Sequence, residues 1–324
     1  MLKIDLNIIS EKHLFIHIHP NTKLISERYQ AEYLGESSPY EEKKNCFYTG
    51  YVDGFPLSKV SFSLCKHGIQ GIIRGLINKP IYIEPYYADI LASEKMKRKK
   101  RSISDFIHVR SLAYVIDFPT SQSSCPERSD SPERQTFSPD QSPRIKRSIF
   151  DDSHQIEISK GTLDDENNFS PLGSREFSVE VLVVADYSLW RVHQENTEHF
   201  LLTIMNIVQA LYQDPTIGNH ITVVTNRLVI VNQPIDELRT SNYATAAINN
   251  FCYWQNANNG GSYGNVTILP HDNAILITGT NLCNDVDDLQ CDTLGIAPVN
   301  GMCDPQRSCS MAQDIGIQTA FTAW

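Results

Sequence analysis

Hydrophobic and polar positions divide the chain into three stretches of different period. Over residues 1–93, short apolar runs alternate with polar residues in LFIHIHP, FYTGYVDG, KVSFSLC and GIIRGLI. Alternation sends successive side chains to opposite faces, so these runs predict half-buried strands. Glycines at 50, 54, 68, 71 and 75 punctuate them. His17 and His19 share one face of such a strand, but a metal site needs a third ligand, so alternation assigns them to half-exposed positions. Residues 94–176 lose the period. KMKRKKR is a dense basic run, and SQSSCPERSDSPERQTFSPDQSPRIKR is rich in Ser, Pro and charge. A segment of this composition cannot bury enough apolar surface to offset its ordering entropy, so it reads as a disordered linker.

From 177 to 324 the pattern changes again. FSVEVLVVAD carries an unbroken apolar centre, which predicts a strand covered on both faces, as in a parallel sheet. In EHFLLTIMNIVQALYQD the residues Phe200, Ile204, Ile207, Val208 and Leu211 recur at helical spacing. ITVVTNRLVIV is a second long strand, which completes a strand–helix–strand unit. A helix near 240–255 and a strand over 272–278 continue it. The fold class predicted is α/β, an α+β arrangement with a mostly parallel central sheet, preceded by a β-rich domain.

Charge and cysteine change the picture next. The formal net charge of −10 argues against nucleic acid as a partner, which requires a basic surface. Eight cysteines are present and none is in a C-x-x-C pair, so the pattern favours disulfides and an oxidising, secreted setting over a zinc ribbon. No stretch approaches the ~18 apolar residues of a membrane span. The N-terminal MLKIDLNIISEKHLFIHIHP interrupts its apolar runs with charge, unlike a secretory leader, so the chain reads as starting within a longer precursor.

Two basic sites, Arg98-Lys99-Lys100-Arg101 and Arg144-Ile145-Lys146-Arg147, fit the R-x-K/R-R pattern of processing proteases. Both are followed by Ser-Ile and both lie where extended chain is accessible. Cleavage by a furin-like protease after Arg101 and Arg147 is the expectation; a nucleic-acid or nuclear-import patch is the alternative, disfavoured by the acidic total. Asn168-Phe-Ser and Asn265-Val-Thr are glycosylation sequons.

Cys46-Phe-Tyr-x-Gly-Tyr-Val-x-Gly, Ser61-Phe-Ser-Leu-Cys65 and Gly68-Ile-Gln-Gly71 resemble the pro-region of reprolysin-type metalloproteases. VEVLVVAD, Asp214-Pro-Thr-Ile-Gly218, HDNAILIT, CDTLGIAP and GMCDPQRSC resemble their catalytic domain, most closely that of the secreted ADAMTS family, disintegrin-like metalloproteases with thrombospondin repeats. The resemblance implies a pro-domain over 1–93, a linker with processing sites over 94–176, and the N-terminal part of a metzincin-like catalytic domain over 177–324. It implies zinc as cofactor, extracellular protein substrates and an extracellular-matrix location. The family's phrase after RSC runs through Ala-Phe-Thr into H-E-x-x-H-x-x-G-x-x-H, whose histidines hold zinc and whose glutamate is the general base. Here it reads Thr319-Ala-Phe-Thr-Ala-Trp324, and the chain contains no H-E-x-x-H. No catalytic residue is therefore assigned, and this chain alone is expected to be inactive.

The resemblance further implies the disulfides Cys46–Cys65, Cys252–Cys309 and Cys283–Cys291, and a partner for Cys303 beyond residue 324. Cys125 stands where the family's pro-region thiolate caps the zinc, although SSCPERS matches that switch loosely; an incidental linker cysteine is the alternative. Glu180 and Asp272 match structural calcium ligands. A second calcium cluster would use Asn281, Leu282, Cys291 and Thr293, but Asn281 and Gln313 replace family acids, and the site is expected to be empty. Two other functions compete: a non-catalytic secreted inhibitor or binding module, and a metal-dependent adhesion domain suggested by Asp186 and Ser188, in which Trp190 replaces the last serine of D-x-S-x-S.

Overall fold

The alternating runs of the N-terminal third fold into an antiparallel meander, with one strand leaving it. In this computed structural model, residues 2–7, 13–35, 46–65, 68–85, 111–114, 177–238, 240–284 and 291–324 are described. All of them fall in one unit formed by Met1–Ile116 and Pro171–Trp324. The strands are β1 (Leu2–Asn7), β2 (His13–Pro20), β3 (Ile25–Leu34), β4 (Phe47–Val52), β5 (Phe55–Ser63), β6 (Gln70–Arg74), β7 (Ile81–Pro85) and β8 (Ser111–Tyr114). Seven of them form one sheet in the order β1-β2-β4-β5-β6-β7-β8. Strand pairing brings Gly50 against β2 so closely that a Cβ there would collide with the His17 carbonyl, which is why this position carries no side chain.

Ile16, Ile18, Val52, Val60, Phe62 and Ile83 fill one face of this sheet. On the other face Phe47, Ile72 and Tyr82 turn toward the C-terminal part of the chain. Beyond residue 93, β8 pairs with β7 through Tyr82↔Tyr114 and Pro85↔Ser111. Strand β3 belongs to another sheet.

That second sheet has the order β14-β15-β13-β9-β10-β3. Its strands are β9 (Phe177–Ala185), β10 (Ile221–Val231), β13 (Asn273–Thr278), β14 (Gly295–Ile296) and β15 (Cys309–Gln313). Every pairing in it is parallel except that of β14. The helices are α1 (Tyr187–His193), α2 (Thr197–Tyr212), α3 (Ala244–Asn258) and α4 (Thr319–Ala323), and β11 (Ser262–Tyr263) with β12 (Val266–Thr267) makes a hairpin. The fold is thus mixed α and β with a mostly parallel central sheet.

The apolar centre of β9 has the two-sided cover its sequence predicts. Val181, Val183 and Ala185 pack toward α2, whereas Leu182 and Val184 pack toward Ile248, Phe251 and Trp254 of α3. Full burial of each of the larger side chains contributes about 1.5–3 kcal/mol.

Helix α2 differs from the amphipathic helix expected. Every residue from Thr197 to Leu211 is buried, including Glu198, His199, Thr203, Asn206 and Gln209. One side faces the central sheet, and the seven-stranded sheet covers the other.

Candidate functional site

The strand β15 leads into the segment that matters most for chemistry. Asp314 follows it directly, and one carboxylate oxygen accepts from Gly316 N–H at 2.9 Å, shaping the turn. Gly316 has φ +75°, a conformation that favours glycine. Thr319 Oγ1 accepts from Ile315 N–H at 2.9 Å and opens α4. The other Asp314 oxygen lies 2.7 Å from His193 Nε2, and the His193 ring stacks on Phe200 at 3.9 Å. The end of α1, the start of α2 and the turn before α4 are therefore tied at one point. Neither His193 nor Asp314 was singled out in the sequence, because 121 residues separate them.

At its other end α4 closes on α2: Tyr212 Oη donates to the Trp324 carbonyl at 3.0 Å, and the two rings meet edge to face. Beside Trp324 runs a cleft of about 590 Å³. Val181 and Ile275 of the sheet, Met205 and Val208 of α2, and Met311 of β15 are among its mainly apolar lining residues. Asn273, Asn300, Arg307 and Ser310 add polar groups to this lining. Among the described residues no three His, Cys, Asp or Glu side chains gather as a metal site.

The positions proposed for calcium are brought together in part. Glu180 and Asp272 exchange backbone contacts: Asp272 N–H donates to the Glu180 carbonyl, and Glu180 N–H to Asp272 Oδ2, both at 2.9 Å. Glu180 Oε2 also accepts from Asn226 Nδ2 at 3.3 Å. Two carboxylates are fewer oxygens than calcium requires. At the second cluster, Gln313 Nε2 donates to Asn281 Oδ1 at 3.2 Å, and Leu282 N–H donates to Gln313 Oε1 at 2.9 Å. Two neutral amides make this exchange, which two carboxylates could not.

The structure corrects the adhesion-domain alternative. Asp186, 2% exposed, accepts from Ser188 Oγ at 2.6 Å, Leu189 N–H at 2.9 Å, Thr240 Oγ1 at 2.6 Å and Thr278 Oγ1 at 2.5 Å. Its lone pairs are taken by protein donors, so the carboxylate caps α1 and joins it to β13. Trp190 stacks on Tyr187 instead of offering a ligand. On β2, His17 stacks on Tyr51 at 5.1 Å and lies 3.6 Å from Asp53, while His19 is exposed.

Disulfides join Cys46 to Cys65, Cys252 to Cys309 and Cys283 to Cys291, and Cys303 is a free, exposed thiol. Asn265 lies exposed in the turn between β11 and β12. Arg101, Cys125, Arg147 and Asn168 lie outside the described residues.

The face of α2 turned to the seven-stranded sheet carries a set of matched polar contacts. Tyr29 Oη donates to Glu198 Oε1 at 2.8 Å, and Ser63 Oγ lies 2.6 Å from His199 Nε2. Asn206 Nδ2 donates to the carbonyls of Tyr48 and Phe62, and Ser61 Oγ donates to the Asn206 carbonyl. Asn21 Nδ2 reaches both Asn206 Oδ1 and Gln209 Oε1, and Gln209 Nε2 donates to the carbonyls of Lys23 and Val223. Polar residues at 198, 199, 206 and 209 within an apolar helix were the sequence signal for this second buried face.

Comparison with known proteins bears on this geometry. Residues 178–323 match the model of the reprolysin (M12B) family of zinc metalloproteases. The chain is 30% identical over 323 residues to human "A disintegrin and metalloproteinase with thrombospondin motifs 6", covering 96% of this chain and 28% of that protein. It is 42% identical over 150 residues to the human protein numbered 7 in the same series, covering 46% of this chain and 9% of that one. The mouse protein numbered 18 is 29% identical over 336 residues, across 95% of this chain and 27% of its own length. The chain thus spans little more than a quarter of the relatives it matches end to end. Metalloproteinase-II of Bacteroides fragilis aligns over 99% of this chain and 76% of its own at a TM-score of 0.39 and 11% identity, too low to bear on the fold.

Proposed function

The chain belongs to the reprolysin zinc metalloprotease family, in its ADAMTS type, and from that premise we propose that it is the precursor region of a secreted zinc-dependent endopeptidase acting on extracellular proteins. The observation that carries this is the apolar cleft at the end of α4, lined by sheet and α2 on the side where a longer helix would lie. In this reading α4 is the first turn of the helix that bears H-E-x-x-H in the full protein. Zinc held by the histidines of that motif would supply a polarised water for peptide hydrolysis. The residues of this chain supply the floor beneath that helix and fix its start through Asp314 and His193.

The pro-region over 1–114 covers α2, and processing after Arg101 and Arg147 by a furin-like protease precedes activity. Cys125 serves as the latency thiolate in the same reading, Asn168 and Asn265 carry glycans, and Glu180 and Asp272 contribute two ligands to a calcium site. Secretion to the extracellular matrix agrees with three disulfides. A second reading, a non-catalytic module that binds or inhibits an intact relative, is supported by the group-for-group matching of the pro-region to α2.

Expression of the reading frame extended beyond Trp324, beside the 324-residue chain, tests the first reading. The extended protein is expected to bind one zinc per molecule and to cleave peptide in a chelator-sensitive way, and the 324-residue chain to do neither. Stoichiometric zinc and chelator-sensitive cleavage by the 324-residue chain would overturn it.

A further inference from the structure

The strand β3 is the anomaly of the pro-region. It leaves its own sheet to pair in parallel with the outer edge of β10, from Arg227↔Gln30 to Val231↔Leu34. Tyr29 and Leu34 are buried along it, and Ile25, Ala31 and Tyr33 pack half-buried against the core. Polar contacts add to this. Arg227, 4% exposed, places Nη1 at 2.6 Å from both Gln30 Oε1 and Glu32 Oε1. Glu32 Oε2 accepts from Thr267 N–H on β12 at 2.8 Å. The Nε of Arg227 is buried without a hydrogen-bond partner, so the compensation of this guanidinium depends on the residues that β3 brings. Among the described residues no disulfide spans the two sides: Cys46–Cys65 lies within the pro-region, and the other two lie within 252–309.

We propose that the outer edge of β10, centred on Arg227, is a strand-accepting surface that recognises an extended segment carrying a neutral amide and an acid two residues apart. Gln30 and Glu32 of β3 are its occupant in this chain, and the edge holds residues 1–114 on residues 177–324 after the backbone between them is cut. Backbone pairing gives the affinity common to strand addition, and the buried guanidinium gives the selectivity. The rest of the interface combines apolar contacts of Phe47, Ile72 and Tyr82 with hydrogen bonds from Ser, Asn and Gln side chains, and water can replace the latter when the surfaces part. Cleavage and release of the pro-region are then separate events, the second requiring withdrawal of β3.

The test uses the full chain with a specific protease site placed within residues 117–170, cut after purification and passed over a sizing column without reductant. The cut chain is expected to elute as one particle containing both pieces. Glu32→Arg or Arg227→Glu is expected to weaken their association at least about a hundredfold, as for removal of one partner of a buried pair. The double exchange E32R/R227E restores it. Glu32→Gln, which keeps the shape of the side chain, gives an intermediate loss, and circular dichroism of each uncut variant verifies folding. Separation of the cut wild-type pieces would overturn the proposal, as would folded single reversals that hold together as tightly as wild type. The readout involves neither zinc nor hydrolysis, so its outcome is independent of the catalytic reading.

Discussion

The two edges of the central sheet are finished in opposite ways. On one side, β10 receives β3 from the N-terminal part of the chain, and Arg227 of β10 meets Gln30 and Glu32 there. On the other, the two-residue β14 flanks β15, the strand is tied to α3 by Cys252–Cys309, and the neighbouring cleft is apolar. The first edge is thus finished by backbone pairing and a buried charge contact, the second by a disulfide with apolar lining beside it.

The largest expected effect breaks the covalent support of the second edge. Cys252→Ser with Cys309→Ser opens a loop of 57 residues and is expected to cost about 4 kcal/mol in urea unfolding. An unchanged midpoint would mean that packing alone holds β15. Between α2 and the seven-stranded sheet, Asn206→Ala leaves the carbonyls of Tyr48 and Phe62 without that donor and is expected to cost about 2 kcal/mol in the same assay. A loss within error would show that water replaces the amide and that the surface is less selective than its geometry.

The smallest effect concerns Arg74, which spans the interface to Asp214 at 3.4 Å. Burial raises the Asp214 pKa, but the Thr216 backbone and side-chain hydrogen bonds and the charges of Arg74 and Lys59 outweigh it and hold the group below its usual 3.8. A depressed carboxylate contributes stability above its unfolded pKa, and that stability is lost as pH falls through the folded value. Arg74→Ala is expected to cost at most about 1 kcal/mol at neutral pH. The difference from wild type should disappear below pH 3.8 as Asp214 protonates, and a difference that persists there would assign the effect to packing of the Arg74 stem.

Strands β9 and β10 were legible in the sequence because both of their faces are covered and their apolar runs are unbroken. Strand β3 was not, since ISERYQAEYL lies at an edge and buries only two side chains. Strand β8 was hidden by its surroundings, four residues amid a segment of charge and proline. The catalytic resemblance was legible through CDTLG and GMC…RSC. The link from His193 to Asp314 was not, because its partners lie on different elements and neither has a local motif.

The sequence by itself determined the strand–helix–strand order, the resemblance to reprolysin-type metalloproteases and the lack of H-E-x-x-H within these residues, since each rests on periodicity or on local motifs. Only the tertiary structure decided that α2 has two buried faces, that β3 crosses into the central sheet, and that Arg227 is compensated by Glu32 from 195 residues away. Burial and charge compensation are properties of neighbours in space, and these neighbours are far apart along the chain.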